Sequence, residues 1–86
     1  MKNDIISGIY LVTNKTTGQM YVGQSIDIYR RFREHRRADK LGHSHIDNAI
    51  NKHGAENFSF EIIMTIENDT EKLNDAEREW IAILNT

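Results

Sequence analysis

Two short runs of β-branched and aromatic residues, Ile5 to Asn14 and Gln19 to Gln24, stand on either side of Lys15-Thr16-Thr17-Gly18. A connector this short, with a glycine able to take positive φ, pairs the two runs as an antiparallel hairpin. Side chains alternate along a strand, so Gly8, Tyr10 and Val12 share one face while Ile9 and Leu11 share the other. On the second run Tyr21 and Gly23 share a face. Tyr10 need not be core on this reading, and Gly23 leaves backbone open to close approach by another group.

The hairpin runs into a helix that starts near Asp27, a good N-cap, and continues to about Asp39. Ile28, Phe32 and Tyr29 are expected to pack on the sheet. Arg31 and His35, at i and i+4, lie together on one face, and Arg33, Arg36 and Arg37 spread around the outside. Gly42 interrupts the pattern. Ser44 followed by Asp47 then predicts the start of a second helix, striped by Ile46, Ala49, Ile50 and His53 and closed by Gly54. Phe58, Phe60, Ile62, Met64 and Ile66 alternate with Ser59, Glu61, Ile63 and Thr65, which predicts a third strand with one fully buried face. Asn68 with Glu71 predicts the cap of a last helix whose stripe is Leu73, Ala76, Trp80 and Leu84, widened by Ile81 and Ile83. Glu77 falls inside that stripe. A carboxylate there sits at the edge of the core or is buried for a reason, because an unpaired buried charge is costly.

A chain of 86 residues supports one domain, 1–86, with one modest core. There is no Cys to add a disulfide or a thiolate zinc site, and no Pro or Gly/Ser linker to mark a boundary. No apolar run has the length of a membrane span and Met1 to Ser7 is unlike a signal peptide, so no membrane partner and a cytoplasmic setting are expected. The net charge of -2 conceals a segregation. Residues 30 to 40 hold Arg30, Arg31, Arg33, Arg36, Arg37 and Lys40 against Glu34 and Asp39, whereas residues 67 to 79 are acidic. A local basic patch sets the field that a polyanion meets. Charge alone fits equally well two solvated helix faces of opposite sign attracting one another.

Gly8-Ile9-Tyr10 and Tyr21-Val22-Gly23, followed by Arg31, His35 and a late Glu77 before Trp80-Ile81, resemble the GIY-YIG nuclease family. The resemblance covers nearly the whole chain. Asn14-Lys15, Asn51-Lys52-His53-Gly54 and Phe58-Ser59-Phe60 look most like the catalytic domains of phage and mobile-intron homing endonucleases. The excision-repair branch is more distant, since its motif usually carries Lys where this chain has Gln24. Val22 in place of the family's usual isoleucine is conservative.

The resemblance implies an α/β (α+β) fold, a small three-stranded antiparallel sheet flanked by helices, and a divalent-metal-dependent endonuclease that hydrolyses DNA phosphodiesters. It further implies one Mg²⁺ or Mn²⁺ ion with Glu77 as its single protein ligand, which suits a cation that keeps several waters. The metal would polarise the phosphate and stabilise the leaving oxygen. Arg31 would match two phosphate oxygens as charge builds up. Tyr10 is implied to orient or deprotonate the attacking water, with Tyr21 in the same network. A phenol of pKa about 10 is a poor base, so Arg31 and the metal would have to lower it. His35 would hold a phosphate or the tyrosine hydroxyl, or relay a proton. His43 or His45 matches a further family histidine.

Beside these implied roles stand plainer readings. Strand tyrosines usually pack on neighbours. His53 reads as a cap or packing residue, and His43 with His45 lacks the further ligands that zinc needs. Arg30, Arg33, Arg36, Arg37, Lys40 and His43 are expected to contact DNA if DNA binds, and otherwise to be solvated surface. A non-catalytic nucleic-acid-binding module built on the basic helix, and an interaction domain using the acidic last helix, remain as alternatives. Many family members carry an Asn beyond the last helix. The chain stops at Asn85-Thr86, so it is expected either to be a fragment of a longer protein or to lack part of the site's support. Homing relatives usually add a separate DNA-targeting region; action as a monomer is expected.

Overall fold

The computed structural model describes residues 5–36, 49–50 and 52–84. Gly18 takes φ 78° and turns the chain between β1 (Gly8–Asn14) and β2 (Met20–Ser25). At the mouth of the turn the Oδ1 of buried Asn14 accepts from Thr16 N at 2.9 Å, Thr17 N at 3.2 Å and Asn57 Nδ2 at 2.9 Å. One side chain thus satisfies the turn and ties it to the 3-10 turn Ala55–Asn57. β3 (Phe58–Thr65) pairs antiparallel on the other side of β1, giving the sheet order β2-β1-β3. Helix α1 spans Ile28–Arg36, α2 is described at residues 49–50 and 52–53, and α3 spans Thr70–Leu84.

The two faces of the sheet carry separate cores. On one, Tyr10, Val12 and Phe58 pack with Ile28 and Phe32 of α1 and Ile50 of α2. On the other, Ile9 and Val22 pack with Leu73 of α3, with Leu11, Ala76, Trp80 and Leu84 around them. The alternation expected along β1 is therefore observed, with a correction: Tyr10 is itself core, 1% exposed. Each large side chain so buried contributes about 1.5–3 kcal/mol.

Asp27 caps α1 as expected, its Oδ1 accepting from Arg30 N at 3.3 Å. Tyr29, however, is exposed and meets Phe32 at nearly a right angle, because one residue along a helix is about 100° around it from Ile28. The same rotation leaves Ile81 and Ile83 outside the stripe that Leu73, Ala76, Trp80 and Leu84 form. The cap of α3 is Asp69 in place of Asn68, with Asp69 Oδ1 accepting from Lys72 N at 3.2 Å. Gly54, at φ 90°, closes α2 by donating its N–H to Ile50 O, but His53, expected in the apolar stripe, is exposed.

The uninterrupted alternation expected in the third strand fails at its end. Ile9 pairs with Met64 while Tyr10 pairs with Ile62, so Ile63 is an extra residue in a β-bulge. Beyond it the period shifts by one. Met64 is left exposed, and Ile63 and Ile66 join the core on the α3 face.

The described ion pairs are local: Arg30 and Arg31 with Glu34, Arg78 with Asp75, and Lys72 with Glu67. α1 and α3 lie on opposite faces of the sheet, so attraction between their charged faces does not organise the fold. The expected end of α1 at Asp39, Gly42, the Ser44 and Asp47 cap, Ile46 and Asn85 lie outside the described residues, as do Arg37, Lys40, His43 and His45. Among the described residues no helix is long and apolar enough to cross a membrane.

Candidate active site

Tyr10 sits opposite Gly23 in the register of β1 and β2, and its ring lies across that residue. A Cβ at position 23 would come closer than 3.0 Å to the Tyr10 Cε1, Cζ and hydroxyl. The absence of a side chain there is what lets the tyrosine cross toward the outer edge of β2. Gly8 is required in the same way by the other neighbour, since a Cβ there would come closer than 3.0 Å to the Met64 carbonyl oxygen. The close approach anticipated at Gly23 is thus made by the chain's own tyrosine.

The tip of the Tyr10 ring meets the α1 residues expected to share a face. Its hydroxyl is 3.0 Å from Nε2 of His35, which is fully buried. Phe32 meets the ring edge-on at 5.5 Å, His35 stacks against Phe60, and Tyr21, half-buried, presents its ring edge to His35. Arg31 stands close enough to the Tyr10 hydroxyl to favour its ionised form. Burial pushes the Tyr10 phenol up to about 12; the Tyr21 and Glu77 charges add to the rise, and Arg31 opposes it without cancelling it. Arg31 thus lowers this pKa as expected, but burial raises it by more. Desolvation of a phenolate in a closed core outweighs one half-exposed guanidinium.

Glu77 reaches the same stretch of β2 from the opposite face of the sheet. The residue is half-buried on α3, and its Oε1 accepts from Gln24 Nε2 at 2.7 Å. Gln24 follows Gly23 directly and donates also to Asn74 Oδ1 at 2.6 Å. Tyr10, Tyr21, Arg31, His35 and Glu77 therefore all gather about the middle of β2, with the sheet between the carboxylate and the rest.

The expected DNA-contacting residues are less uniform. Arg30 is exposed with its Nε 3.3 Å from Glu34 Oε2, Arg33 is exposed, and Arg36 lies over the Phe60 ring with Cζ 4.9 Å from its centre. Arg37, Lys40 and His43 lie outside the described residues. Two residues of the site had not been singled out. Glu34 accepts from Arg31 Nη1 at 2.9 Å, and this guanidinium holds its carboxyl below the usual range. Its spacing from Arg30 and Arg31 on a helix is a signal that could have found it. Gln24 and Glu77 are too far apart in sequence for any local pattern to join them.

Among the described residues no three His, Cys, Asp or Glu side chains group as a metal cage. The donor chemistry available is one carboxylate with one oxygen engaged by an amide. That fits a hard divalent ion which takes few protein ligands and completes its shell with water and phosphate.

A three-stranded antiparallel sheet whose edge strand gathers two tyrosines, a histidine and an arginine on one side and a glutamate on the other is the arrangement that the sequence resemblance implies. The model of the GIY-YIG catalytic domain matches residues 6–86, and the chain belongs to that family. It is similar to the catalytic domain of the homing endonuclease I-TevI, with 32% identity over 92% of this chain and 88% of that one and a TM-score of 0.79. A mutant of the catalytic domain of intron endonuclease I-TevI matches with 28% identity over 94% and 86% and a TM-score of 0.76. GIY-YIG nucleases are generally metal-dependent.

Proposed function

We propose that this domain hydrolyses DNA phosphodiesters as a divalent-metal-dependent endonuclease of the homing type, using one Mg²⁺ or Mn²⁺ ion. The observation that carries the reading is the convergence on one stretch of β2 of Arg31, His35 and the tyrosines from one face and Glu77 from the other. Glu77 holds the ion, which when bound supplies charge for the phosphate and for the leaving oxygen. Arg31 donates to the non-bridging phosphate oxygens, where its planar fork matches the charge that develops in the transition state.

The tyrosines divide the work. Tyr10, buried and with its pKa near 12, stays protonated at neutral pH, hydrogen-bonds His35 and stands beside Arg31. His35, with no exposed surface, serves the hydroxyl and not a phosphate. Tyr21, half-buried, is the more exposed of the two and is assigned to orienting the attacking water. Arg30, Arg33 and Arg36 add salt-dependent contacts to the DNA backbone, with few contacts to bases. A separate targeting region then supplies sequence preference, and the domain acts as a monomer that cuts one strand at a time.

The test is nicking of supercoiled plasmid with Mg²⁺ or Mn²⁺, comparing the wild type with Glu77→Ala and a chelator control. Metal-dependent nicking that disappears in the folded variant is the expected result. Nicking that survives Glu77→Ala or chelation would overturn the assignment. Binding without cleavage under either metal would favour a non-catalytic binding module on α1.

A further inference from the structure

We infer that Gln24 is a positioning residue for Glu77: its amide holds the carboxylate by one oxygen and leaves the other for the divalent ion. The inference rests on the reading of Glu77 as the residue that holds that ion. Gln24 stands on edge strand β2 opposite Ile9, which belongs to the core under α3, so its side chain meets that helix. There Nε2 donates to Asn74 Oδ1 at 2.6 Å and to Glu77 Oε1 at 2.7 Å. Asn74 and Glu77 are i and i+3 on α3 and lie on the same side of it. A carboxylate can only accept, so the amide must present its NH₂ group here.

Among the described residues Gln24 is the hydrogen-bond partner that Glu77 has, and no ion pair restrains its carboxylate. A glutamate otherwise spreads over many rotamers, and ordering it costs free energy when it takes up an ion. Gln24 meets that cost in the fold. Being neutral, it orients the carboxylate without cancelling the charge that attracts a cation, as a lysine at this position would. It also joins the carboxylate to the residue next to Gly23, over which Tyr10 crosses. The two halves of the site are thus held in register through adjacent residues of one strand.

The test uses the 86-residue chain without DNA and Mn²⁺ alone as probe. Mn²⁺ binding is followed by electron paramagnetic resonance, and its place by paramagnetic broadening of the Glu77 signals in NMR. Gln24→Met keeps the volume of the side chain and removes its N–H donors; Gln24→Ala is a second variant should the first disturb packing. Either should weaken Mn²⁺ binding by about tenfold or more, the usual loss when a residue that orients a metal ligand is removed. In the Glu77→Ala background the same change should have no further effect. Nicking by Gln24→Met should recover as Mn²⁺ is raised.

Wild-type Mn²⁺ binding by Gln24→Met and Gln24→Ala, with binding lost in Glu77→Ala, would overturn the role of Gln24 and leave that of Glu77 standing. Wild-type binding by Glu77→Ala would overturn both. A loss in Gln24→Met that persists undiminished without Glu77 would also overturn the inference, since Gln24 would then act on the ion by another route.

Discussion

Replacing Gly23 with alanine tests how the two halves of the GIY-YIG motif fit together. The new methyl would come closer than 3.0 Å to the tip of the Tyr10 ring, so something must move. A ring tip is ordinarily free to swing away, but this one is 1% exposed, held edge-on by Phe32 at 5.5 Å and bonded to His35 at 3.0 Å. Overpacking a closed core costs about 1–3 kcal/mol. Losing the bond to His35 adds about 1 kcal/mol. The expected loss is therefore about 2–4 kcal/mol, which in a domain of this size lowers Tm by roughly 10 °C or more. Denaturant unfolding of the wild type, Gly23→Ala, Tyr10→Phe and the double variant separates the terms. Tyr10→Phe removes the hydroxyl but leaves the ring, so part of the alanine penalty, about 1 kcal/mol, should vanish in that background. Gly23→Ala within about 0.5 kcal/mol of wild type, with the Tyr10 ring signals unmoved, would show that the ring has room and that the steric account of this glycine is wrong.

Two further outcomes are expected. Tyr10 should titrate near 12, above its unfolded value of 10.0, so between these limits the unfolded chain gives up a proton that the native one keeps and stability falls as pH rises, by about 1.4 kcal/mol per unit. Phenolate absorbance of wild type minus Tyr10→Phe reads this directly, and a Tyr10 that ionises at or below pH 10 would refute it. Glu34→Gln removes a carboxylate bonded to both Arg30 and Arg31, so DNA binding should strengthen about 3- to 5-fold at low salt, with a steeper salt dependence. Unchanged affinity in a fluorescence-anisotropy titration would mean that neither arginine meets phosphate.

What was legible in the sequence depended on how local its cause was. The hairpin, the two faces of β1, the Asp27 cap and the pairing of Arg31 with His35 follow from periods of two and of about 3.6 that any window displays. The end of β3 was not legible, because the bulge at Ile63 depends on how β3 meets β1, and a one-residue shift exchanges the faces of Met64 and Ile66. The burial of Tyr10 was hidden for a related reason. Whether a strand tyrosine is core depends on what stands beside it, and here the neighbouring residue is a glycine over which the ring can fold. Glu77 was expected inside its stripe, at the edge of the core or buried for a reason, and is half-buried, but its partner Gln24 comes from a different element.

The position of the sheet between the two arms also constrains the chemistry of Tyr10. Glu77 raises its pKa and Arg31 lowers it, both less than burial raises it. If Glu77 holds the ion as proposed, a bound cation relieves the first effect. A phosphate seated on Arg31 relieves the second. Cation and substrate thus push the phenol in opposite directions, and assembling the complete site leaves desolvation as the dominant influence, since neither arrival opens the core around Phe32 and His35. A phenol raised to about 12 keeps its proton at neutral pH in the unliganded domain. Its value to the reaction then lies in fixing Arg31 and His35 relative to one another. On this account Tyr10→Phe should loosen Arg31 and slow cleavage without moving the pH profile, whereas a tyrosine acting as the base would take the alkaline limb of that profile with it.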